Sequence, residues 1–487
     1  MTRRTKIASL AIVFSVLAVI CYYVFWNDEK PRQQSPLEFN IFIVVSDALR
    51  YDVLGCYGGQ ARTPNLDWLA ENGILFENAY CTSPWTAPSC VSMFTGNYAT
   101  AYDYAEEKSN KAVKPVIVNV PESRTLLAEV MEKEGYMTWM QIENLNASIH
   151  NNLQGFEPIP PDELPQQDID NISRIVGGEM RNNVDYKKTY QVLKHLLESP
   201  AGETFFLVHW IMDPHYPYFP VDKFESQIEV DESELPKGKV WYQRGMRGSD
   251  KWFTLSPDQK KYVQDLYLAE VESVDERVGY ILEMLKHKKL LTKTIIIFTS
   301  DHGEQFGDHG LWGHGQHYYE GMMRVPLIYT GPDLPRGRRV KAAVSHLDLM
   351  PTVKDLSGID YNYLTQGQSY LKLLRGKSSW NRTLFFDDIK NHKQIDALIE
   401  KNYKLITQVE NKFELYDIHK DPGETNNLES RYPEKVNAML EKIMAIRQEN
   451  LNRQKENRAA LDDNIDGLSD SERKKVIDRL RALGYIQ

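Results

Sequence analysis

The stretch Thr294–Glu304 reads TIIIFTSDHGE, and it decides the fold. An apolar, β-branched run that ends abruptly in Ser, Asp and His is typical of a buried strand in a parallel sheet. Two further stretches have the same form: FNIFIVVSDA, which contains Asp47, and TFFLVHWIMDPH, which ends at His215. Because helical patterns lie between these stretches, the sequence predicts an α/β fold with a mostly parallel central sheet.

The segments around these strands complete the predicted architecture. TPNLDWLAENG predicts a helix that begins at Thr63-Pro64 and ends at Gly73, and Val263–Lys286 carries apolar residues at helical spacing. The charged segment between Val221 and Asp258, which is punctuated by Pro and Gly, predicts a surface insertion or lid. After about Ser378, short alternating stretches predict a smaller C-terminal α+β subdomain.

Acidic and imidazole side chains at the strand ends suggest a metal site. In such sheets, ligands bind at the carboxyl ends of the strands, where Asp47, Asp301 and His302 stand. A lone buried carboxylate is costly unless it is paired or binds a metal. Two carboxylates and an imidazole suit a divalent ion, and we expect Mn²⁺ or Zn²⁺ in preference to Ca²⁺. For Asp47 alone, a helix-capping role is the alternative.

A threonine in SPWTAPSCVSMFTG, which spans Ser83–Gly96, is the candidate nucleophile. Pro88 is typical of a helix start, and Thr86 comes just before it. Metal coordination is one way to activate a weakly nucleophilic hydroxyl, and a helix N-terminus offers amides to an anion. Thr86 alone would be interpreted as a cap. Beside the strand-end acids, we predict that it is both the nucleophile and the fourth metal ligand.

Two histidines are candidates for contact with the substrate. His215 ends its strand segment, and His314 lies in LWGHGQHYYEGMMRVP. A cationic imidazole can bind an ester oxygen or protonate a leaving group. Each histidine alone is more typical of a hydrogen-bonded loop residue, and the catalytic prediction depends on the neighbouring acids.

The N-terminus predicts a membrane anchor. Basic residues at positions 3, 4 and 6 precede the uncharged stretch Ile7–Trp26, whose helical length of about 30 Å matches a bilayer core. The basic flank predicts a single-pass protein with its catalytic part outside the cytoplasm. A cleaved signal peptide is the alternative. The formal charge of −10 argues against nucleic acid as a partner.

These patterns divide the chain of 487 residues into six predicted parts. They are a cytoplasmic tail (1–6), a transmembrane signal anchor (7–26), a linker (27–38), a catalytic domain (39–377), a C-terminal subdomain (378–460) and a C-terminal helical tail (461–487).

The chain resembles the sulfatase family of the alkaline phosphatase superfamily. The resemblance rests on the stretches quoted above and on SHLDLMPTVKDLSG and ELYDIHKDPGETNNL, in family order from Asn40 to Leu428. It implies an alkaline phosphatase-like sandwich with a smaller C-terminal subdomain. It also implies a metal-dependent hydrolase of sulfate, phosphate or phosphonate esters. The implied roles are metal ligands for Asp47, Asp301 and His302, nucleophile and ligand for Thr86, and substrate contact for His215 and His314.

Several positions depart from the formylglycine-dependent sulfatases. Thr86 stands where the precursor Cys or Ser would open C-x-P-S-R, and Cys90 replaces the arginine of that motif. Ala48 replaces a second Asp, His302 replaces an Asn, and MQIENLN stands in place of G-K-W-H. The remaining set is similar to that of phosphoethanolamine and phosphoglycerol transferases and of phosphodiesterases of the superfamily.

The leading expectation is therefore an anchored hydrolase of phosphoric or phosphonic esters with a threonine nucleophile. Its substrate would be a small molecule or a lipid or glycan ester, and its membrane contact would be the N-terminal helix. The alternatives are a sulfuric ester hydrolase, a transferase of the phosphoethanolamine or phosphoglycerol type and, least favoured, a non-catalytic binding protein.

Overall fold

The computed structural model describes most of the chain after residue 38. The described residues are 39–106, 116–121, 124–144, 147, 154–160, 164–177, 184–200, 202–228, 255–315, 317–361, 365–377, 380–387, 395–408 and 412–466.

The strands, in chain order, are β1 (Asn40–Ser46), β2 (Gly73–Phe76), β3 (Ala79–Tyr80), β4 (Asp103–Glu106), β5 (Val116–Asn119), β6 (Met137–Ile142), β7 (Glu157–Pro158), β8 (Phe205–Ile211), β9 (Thr294–Ser300), β10 (Gln305–Phe306), β11 (Trp312–Gly313), β12 (Arg324–Val325), β13 (Leu327–Thr330), β14 (Arg338–Val340), β15 (Val344–Ser345), β16 (Leu384–Phe386), β17 (Ala397–Glu400), β18 (Tyr403–Gln408) and β19 (Lys412–Asp417). The α-helices are α1 (Pro64–Glu71), α2 (Thr86–Thr95), α3 (Leu127–Lys133), α4 (Gln166–Val176), α5 (Val184–Glu198), α6 (Asp222–Glu225), α7 (Pro257–His287), α8 (Glu320–Met323), α9 (Leu349–Leu356), α10 (Leu371–Leu374) and α11 (Pro433–Asp466).

A sheet of eight strands in the order β14-β2-β13-β9-β1-β8-β6-β7 forms the centre of the fold. Its pairings are parallel except those of β13, which runs antiparallel to β9 and to β2. Every residue of β1, β8 and β9 is buried, which explains their continuous apolar sequences. The predicted α/β fold with a mostly parallel central sheet is confirmed.

The long helix α7 organises one face of this sheet. Ser256 caps it, since its side chain accepts a hydrogen bond from the amide of Gln259, and Pro257 occupies the first helical position. Helices α1, α4 and α5 pack against α7. Its apolar side chains join those of β1, β8 and β9 in one hydrophobic cluster. The helix predicted over Val263–Lys286 is therefore present and is longer at both ends.

A second, antiparallel sheet follows near the C-terminus, with the order β16-β17-β18-β19. Lys404 of β18 is completely buried and pairs with Glu320 of α8 at 3.1 Å and with Glu424 at 2.9 Å. Burial acts to lower the pKa of Lys404, but the two carboxylates raise it above its ordinary value. Because a buried charge without its partner is costly, this cluster ties the C-terminal sheet to the helix that follows the His314 loop.

Some predicted boundaries differ from those in the structure. Helix α1 ends at Glu71, and Gly73 opens β2 instead of ending a helix, because its backbone pairs with β13. Of the predicted lid, α6 is described and residues 229–254 lie outside the described residues. The same holds for residues 467–487 of the predicted tail and for the whole of 1–38. The predicted domain boundaries remain predictions.

The predicted membrane location requires correction. Among the helices that the structure describes, none combines the length and the apolar composition needed to cross a bilayer. The segment 7–26, from which the signal anchor was predicted, lies outside the described residues. The prediction of a single-pass protein with an extracytoplasmic catalytic domain is overturned on this finding.

Candidate active site

Polar side chains follow four neighbouring strands of the central sheet, and they lie at one edge of it. In the order β9-β1-β8-β6, their carboxyl ends are followed by Asp301, Asp47, Asp213 and Asn144. The register aligns Ser46 with Ser300, so the two acids that follow these residues emerge side by side. This convergence is the expected location of a ligand site in a parallel sheet.

Helix α2 brings the predicted nucleophile to the same edge. Trp85 is extended, and the helix begins at Thr86, two residues before the start predicted from Pro88. All ten residues of the helix are buried, which holds Thr86 in place. Oγ1 of Thr86 lies 3.4 Å from Nε2 of His302. Pro88 has no N–H, so the first turn offers an anion the amides of Thr86 and Ala87.

Asp47, Asp301 and His302 present ligand atoms that lie within 4.8 Å of one another. Oδ1 of Asp47 and Oδ2 of Asp301 are buried and have no hydrogen-bond partner among the described residues. Nδ1 of His302 lies 2.8 Å from the carbonyl oxygen of Gly303, to which it donates, so the lone pair is on Nε2. Buried carboxylate oxygens without a compensating charge are costly, and a cation among them would satisfy them. The residues present therefore fit a divalent metal.

The electrostatics of the three groups agree with this interpretation. Burial raises the pKa of Asp301 well above its ordinary value, and the nearby carboxylate of Asp47 raises it further. Burial, followed by the influence of His314, lowers the pKa of His302 to about 3. His302 is thus a neutral imidazole, the form that binds metals. The two buried carboxylates lack a compensating cation among the described side chains around them.

Asn144 is a site residue that sequence reasoning missed. Its Nδ2 donates to Oδ2 of Asp47 at 2.6 Å and lies 3.4 Å from Oγ1 of Thr86. Nε1 of Trp210 donates to the same Asp47 oxygen at 3.0 Å. Its position in the sequence could have identified it, because Asn144 follows strand β6 just as Asp47 and Asp301 follow β1 and β9. Together the two donors orient Asp47 so that its other oxygen faces the metal-ligand cluster.

The two predicted substrate histidines lie beside this cluster. The ring of His314 is 4.6 Å from that of His302 and 4.7 Å from that of His215, measured between centroids. Both carboxylate oxygens of Glu304 lie 3.2 Å from Nδ1 of His314. Burial raises the pKa of Glu304 to about 7. The structure thus brings together all six residues singled out from the sequence, and their chemical roles remain predictions.

A buried network of ion pairs holds the backbone that carries part of the site. Arg277 of α7 has no exposed surface, and its guanidinium pairs with Glu143 and, at 3.4 Å, with Asp213. Glu143 precedes Asn144, and its Oε2 accepts the amide of Met212 at 2.8 Å. The network therefore fixes the backbone that carries Asn144 and the residues leading to His215. Sequence reasoning missed Arg277 because nothing in a helical pattern distinguishes a buried arginine from an exposed one.

Comparisons with known proteins agree with this site and fold. The sequence profile of a family described as "Sulfatase" matches residues 39–359, and one described as "N-sulphoglucosamine sulphohydrolase, C-terminal" matches residues 307–452. The chain is 27% identical over 435 residues to the uncharacterized sulfatase YidJ of Escherichia coli (strain K12), which covers 80% of this chain and 82% of that protein. It is 26% identical over 441 residues to a choline-sulfatase of Rhizobium meliloti (strain 1021), with the same two coverages of 80% and 82%.

A solved structure shares the fold. The phosphonate monoester hydrolase of Agrobacterium radiobacter superposes with a TM-score of 0.63 at 20% identity, covering 85% of this chain and 96% of that chain. The predicted alkaline phosphatase-like fold with a C-terminal subdomain is confirmed.

Proposed function

Because this chain belongs to the sulfatase family, a family of ester hydrolases, we propose that it hydrolyses sulfuric esters with Thr86 as the nucleophile. One observation carries the proposal. The Thr86 hydroxyl lies 3.4 Å from Nε2 of His302, at the cluster in which Asp47 and Asp301 have unpartnered oxygens. A hydroxyl at the positive end of a buried helix, beside a metal-ligand set, is well placed to become a nucleophile.

Asp47, Asp301 and His302 would hold a divalent metal, with Thr86 beside it. Such an ion supplies positive charge that favours ionisation of the threonine hydroxyl and stabilises charge on the ester oxygens. The sequence favoured Mn²⁺ or Zn²⁺, which suit the imidazole. Two carboxylates and a hydroxyl also suit Ca²⁺ or Mg²⁺. Replacing the metal and measuring activity with each ion would identify the one that the protein uses.

The chain's own residues account for the rest of the reaction. Oγ1 of Thr86 loses its proton to water and forms a bond to the central sulfur, while the ester oxygen leaves with the bonding electron pair. The first-turn amides of α2 face the charge that develops on the sulfuryl oxygens. His314 or His215 gives a proton to the leaving oxygen. Water then displaces the sulfuryl group from Thr86 and restores the hydroxyl.

We propose sulfuric esters as the substrates in preference to the phosphoric and phosphonic esters that the sequence favoured. The family match and the relatives named above as sulfatases support this order. One of those relatives is a choline-sulfatase, which makes a small sulfated molecule or a sulfated glycan the substrate class that we propose to test first.

Phosphoric or phosphonic ester cleavage is the second candidate, and Thr86 is the observation that favours it. Oxidation of threonine would give a ketone, so Thr86 cannot become the aldehyde of formylglycine. A direct alkoxide nucleophile suits phosphorus chemistry, and a phosphonate monoester hydrolase shares this fold. Transfer to an acceptor alcohol instead of water would make the protein a transferase of the same chemical class.

A substrate panel tests the proposal directly. Purified protein, stripped of metal and reloaded separately with Ca²⁺, Mg²⁺, Mn²⁺ and Zn²⁺, is assayed on an aryl sulfate, a phosphate monoester, a phosphate diester and a phosphonate monoester. We expect the aryl sulfate to have the highest kcat/KM. A higher kcat/KM for the diester or the phosphonate would replace the first candidate with the second. Products formed with an added alcohol would identify a transferase.

A further inference from the structure

A cavity of about 210 Å³ lies at the amino ends of the central strands, at the edge opposite the candidate active site. Its lining includes the first residues of β6 and β8 and the residues that lead from α7 into β9. Strand β9 runs over seven residues from this edge to the active-site edge, which separates the two sites by about 20 Å. This amino-edge cavity is therefore separate from the metal-ligand cluster.

One part of the amino-edge cavity is apolar. The rings of Trp139 and Phe205 both line it and stack on each other, with their centroids 6.0 Å apart. Both side chains are almost completely buried, so the wall that they form is rigid. An apolar wall favours a ligand with a hydrocarbon surface, and a volume below about 300 Å³ limits that ligand to a small molecule.

The rest of the lining is mostly basic. It contains one acid and three lysines, which are Glu203, Lys288, Lys289 and Lys293. Nζ of Lys288 donates to the carbonyl oxygens of Leu197 at 2.8 Å and Ser199 at 3.1 Å, which holds this ammonium group at the cavity. The ammonium groups of Lys289 and Lys293 have no partner among the described residues, and Glu203 pairs with neither. Two unpaired positive charges at a small cavity favour an anion.

The backbone of Lys289 is an independent observation. Lys289 comes two residues after the end of α7 and has a φ of 57°, in the left-handed region. Helices commonly end with glycine in this conformation, because a side chain is strained there. The chain thus keeps a lysine where glycine would be less strained, and backbone strain of this kind is typical of functional positions.

We infer that the amino-edge cavity is a second binding site, which takes a small organic anion. The acidic group of the ligand contacts Lys289 and Lys293, and its apolar part packs against Trp139. Ammonium groups bind sulfonate, sulfate and carboxylate through the same charge, so these acidic groups share the chemistry of the site. The inference goes beyond ester hydrolysis and does not depend on it.

Calorimetric titration of the full chain tests the inference. The probes are benzenesulfonate, benzoate, inorganic sulfate, which has no ring, and benzyl alcohol, which has no charge. We expect one of the two organic anions to bind more tightly than both inorganic sulfate and benzyl alcohol. In the double variant Lys289→Gly/Lys293→Gln, that binding should weaken about 10-fold or more. Binding of a probe at the active site is the same in both proteins, so the difference reports the cavity.

Lys286→Gln is the matched control, because Lys286 is an exposed lysine of α7 that pairs with Glu283 and does not line the cavity. It should leave the affinity unchanged. Lysine acetylation read by mass spectrometry locates the bound probe, which should protect Lys289 and Lys293 but not Lys286. Lys289→Gly alone should raise the thermal midpoint while weakening binding, since glycine relieves the left-handed strain.

Equal affinity of the organic anion for the wild type and the double variant would overturn the inference. So would inorganic sulfate that binds as tightly as benzenesulfonate and benzoate, because the apolar wall would then contribute nothing. Tight binding of benzenesulfonate or of benzoate that depends on the two lysines supports the inference and identifies the acidic group. A protein inert toward every ester in the panel would overturn the proposed function and leave this inference standing.

Discussion

The side-chain amide of Asn144 donates a hydrogen bond of 2.6 Å to Oδ2 of Asp47. The same nitrogen lies 3.4 Å from Oγ1 of Thr86. One neutral side chain therefore touches both a candidate metal ligand and the candidate nucleophile. It stands in MQIENLN, the segment where the resemblance to formylglycine-dependent sulfatases led us to expect G-K-W-H.

Replacement of Asn144 tests the importance of this contact. Asn144→Ala removes a donor that orients Asp47, and loss of a hydrogen bond to a metal ligand costs about 10- to 100-fold in activity or metal affinity. We expect that loss in kcat/KM with little change in thermal stability. Asn72→Ala, which removes an amide contact at the end of α1, is the control. Unchanged activity in Asn144→Ala would show that Trp210 alone is sufficient to orient Asp47.

Thr86→Ala is expected to lower turnover by about 10³-fold or more, because it removes the hydroxyl that lies 3.4 Å from Nε2 of His302. Metal binding should fall only partly, since the two carboxylates and the imidazole remain. The measurements are steady-state kinetics and metal content. Ser92→Ala, on the same buried helix, is the control. Full activity in Thr86→Ala would remove Thr86 from the mechanism.

Metal binding should strengthen as pH rises. The pKa of Asp301 is raised by burial and by Asp47, so a proton must leave this group before the ion binds. Below that pKa, the apparent affinity should weaken by about tenfold per pH unit. Titration calorimetry with Mg²⁺ and Mn²⁺ at several pH values would measure this dependence. The Asp301→Asn variant should bind the metal more weakly, and its affinity should depend less on pH. A metal affinity of the wild type that does not change with pH would contradict the prediction.

Arg277 should be critical for stability. Arg277→Met leaves Glu143 and Asp213 without their buried cation, and loss of one partner of such a pair costs about 3–5 kcal/mol. The free energy of unfolding in urea measures this. Arg62→Met breaks an exposed pair with Glu272 and should lower the free energy of unfolding far less. Equal costs for the two variants would show that the buried network contributes no more than a surface pair.

His346 should make the fold sensitive to acid. Burial lowers the pKa of His346 to about 3, below the ordinary value of about 6.5. As pH falls below 6.5, His346 becomes protonated in the unfolded chain but stays neutral in the folded chain. The free energy of unfolding therefore decreases by about 1.4 kcal/mol per pH unit until about pH 3.

His346→Gln is expected to flatten the loss of stability between pH 6.5 and pH 4.5 while keeping a partner for Thr299, which contacts Nε2 of His346 at 2.9 Å. Urea unfolding at three pH values measures the effect. The control is His287→Gln at an exposed position. A pH dependence of the His346→Gln variant identical to that of the wild type would refute the prediction.

Much of the fold could be read from the sequence because burial on both faces leaves a clear signal. The runs of β1, β8 and β9 have no polar alternation, and Asp47, Asp213 and Asp301 follow them at the same sheet edge. The six site residues were found because acids, hydroxyls and imidazoles are rare at such positions. The structure brings these side chains together, and their chemical roles remain predictions.

The parts that escaped prediction depend on contacts distant in sequence. Asn144 is 97 residues from Asp47, and Arg277 is 134 from Glu143, so no local pattern links either pair. The start of α2 was predicted two residues late because Pro88 is equally acceptable at the third helical position. The membrane location was inferred from residues 7–26 alone, which lie outside the described part of the chain.

The buried Lys404 also limits how this protein can be recombined with its relatives. Glu320 stands at the start of α8, before the C-terminal sheet, while its cation comes from a strand more than eighty residues later. A chimera that joins this N-terminal part to a foreign C-terminal sheet would retain the acid and lose the base. Functional hybrids should therefore arise only from crossovers that carry both residues or neither.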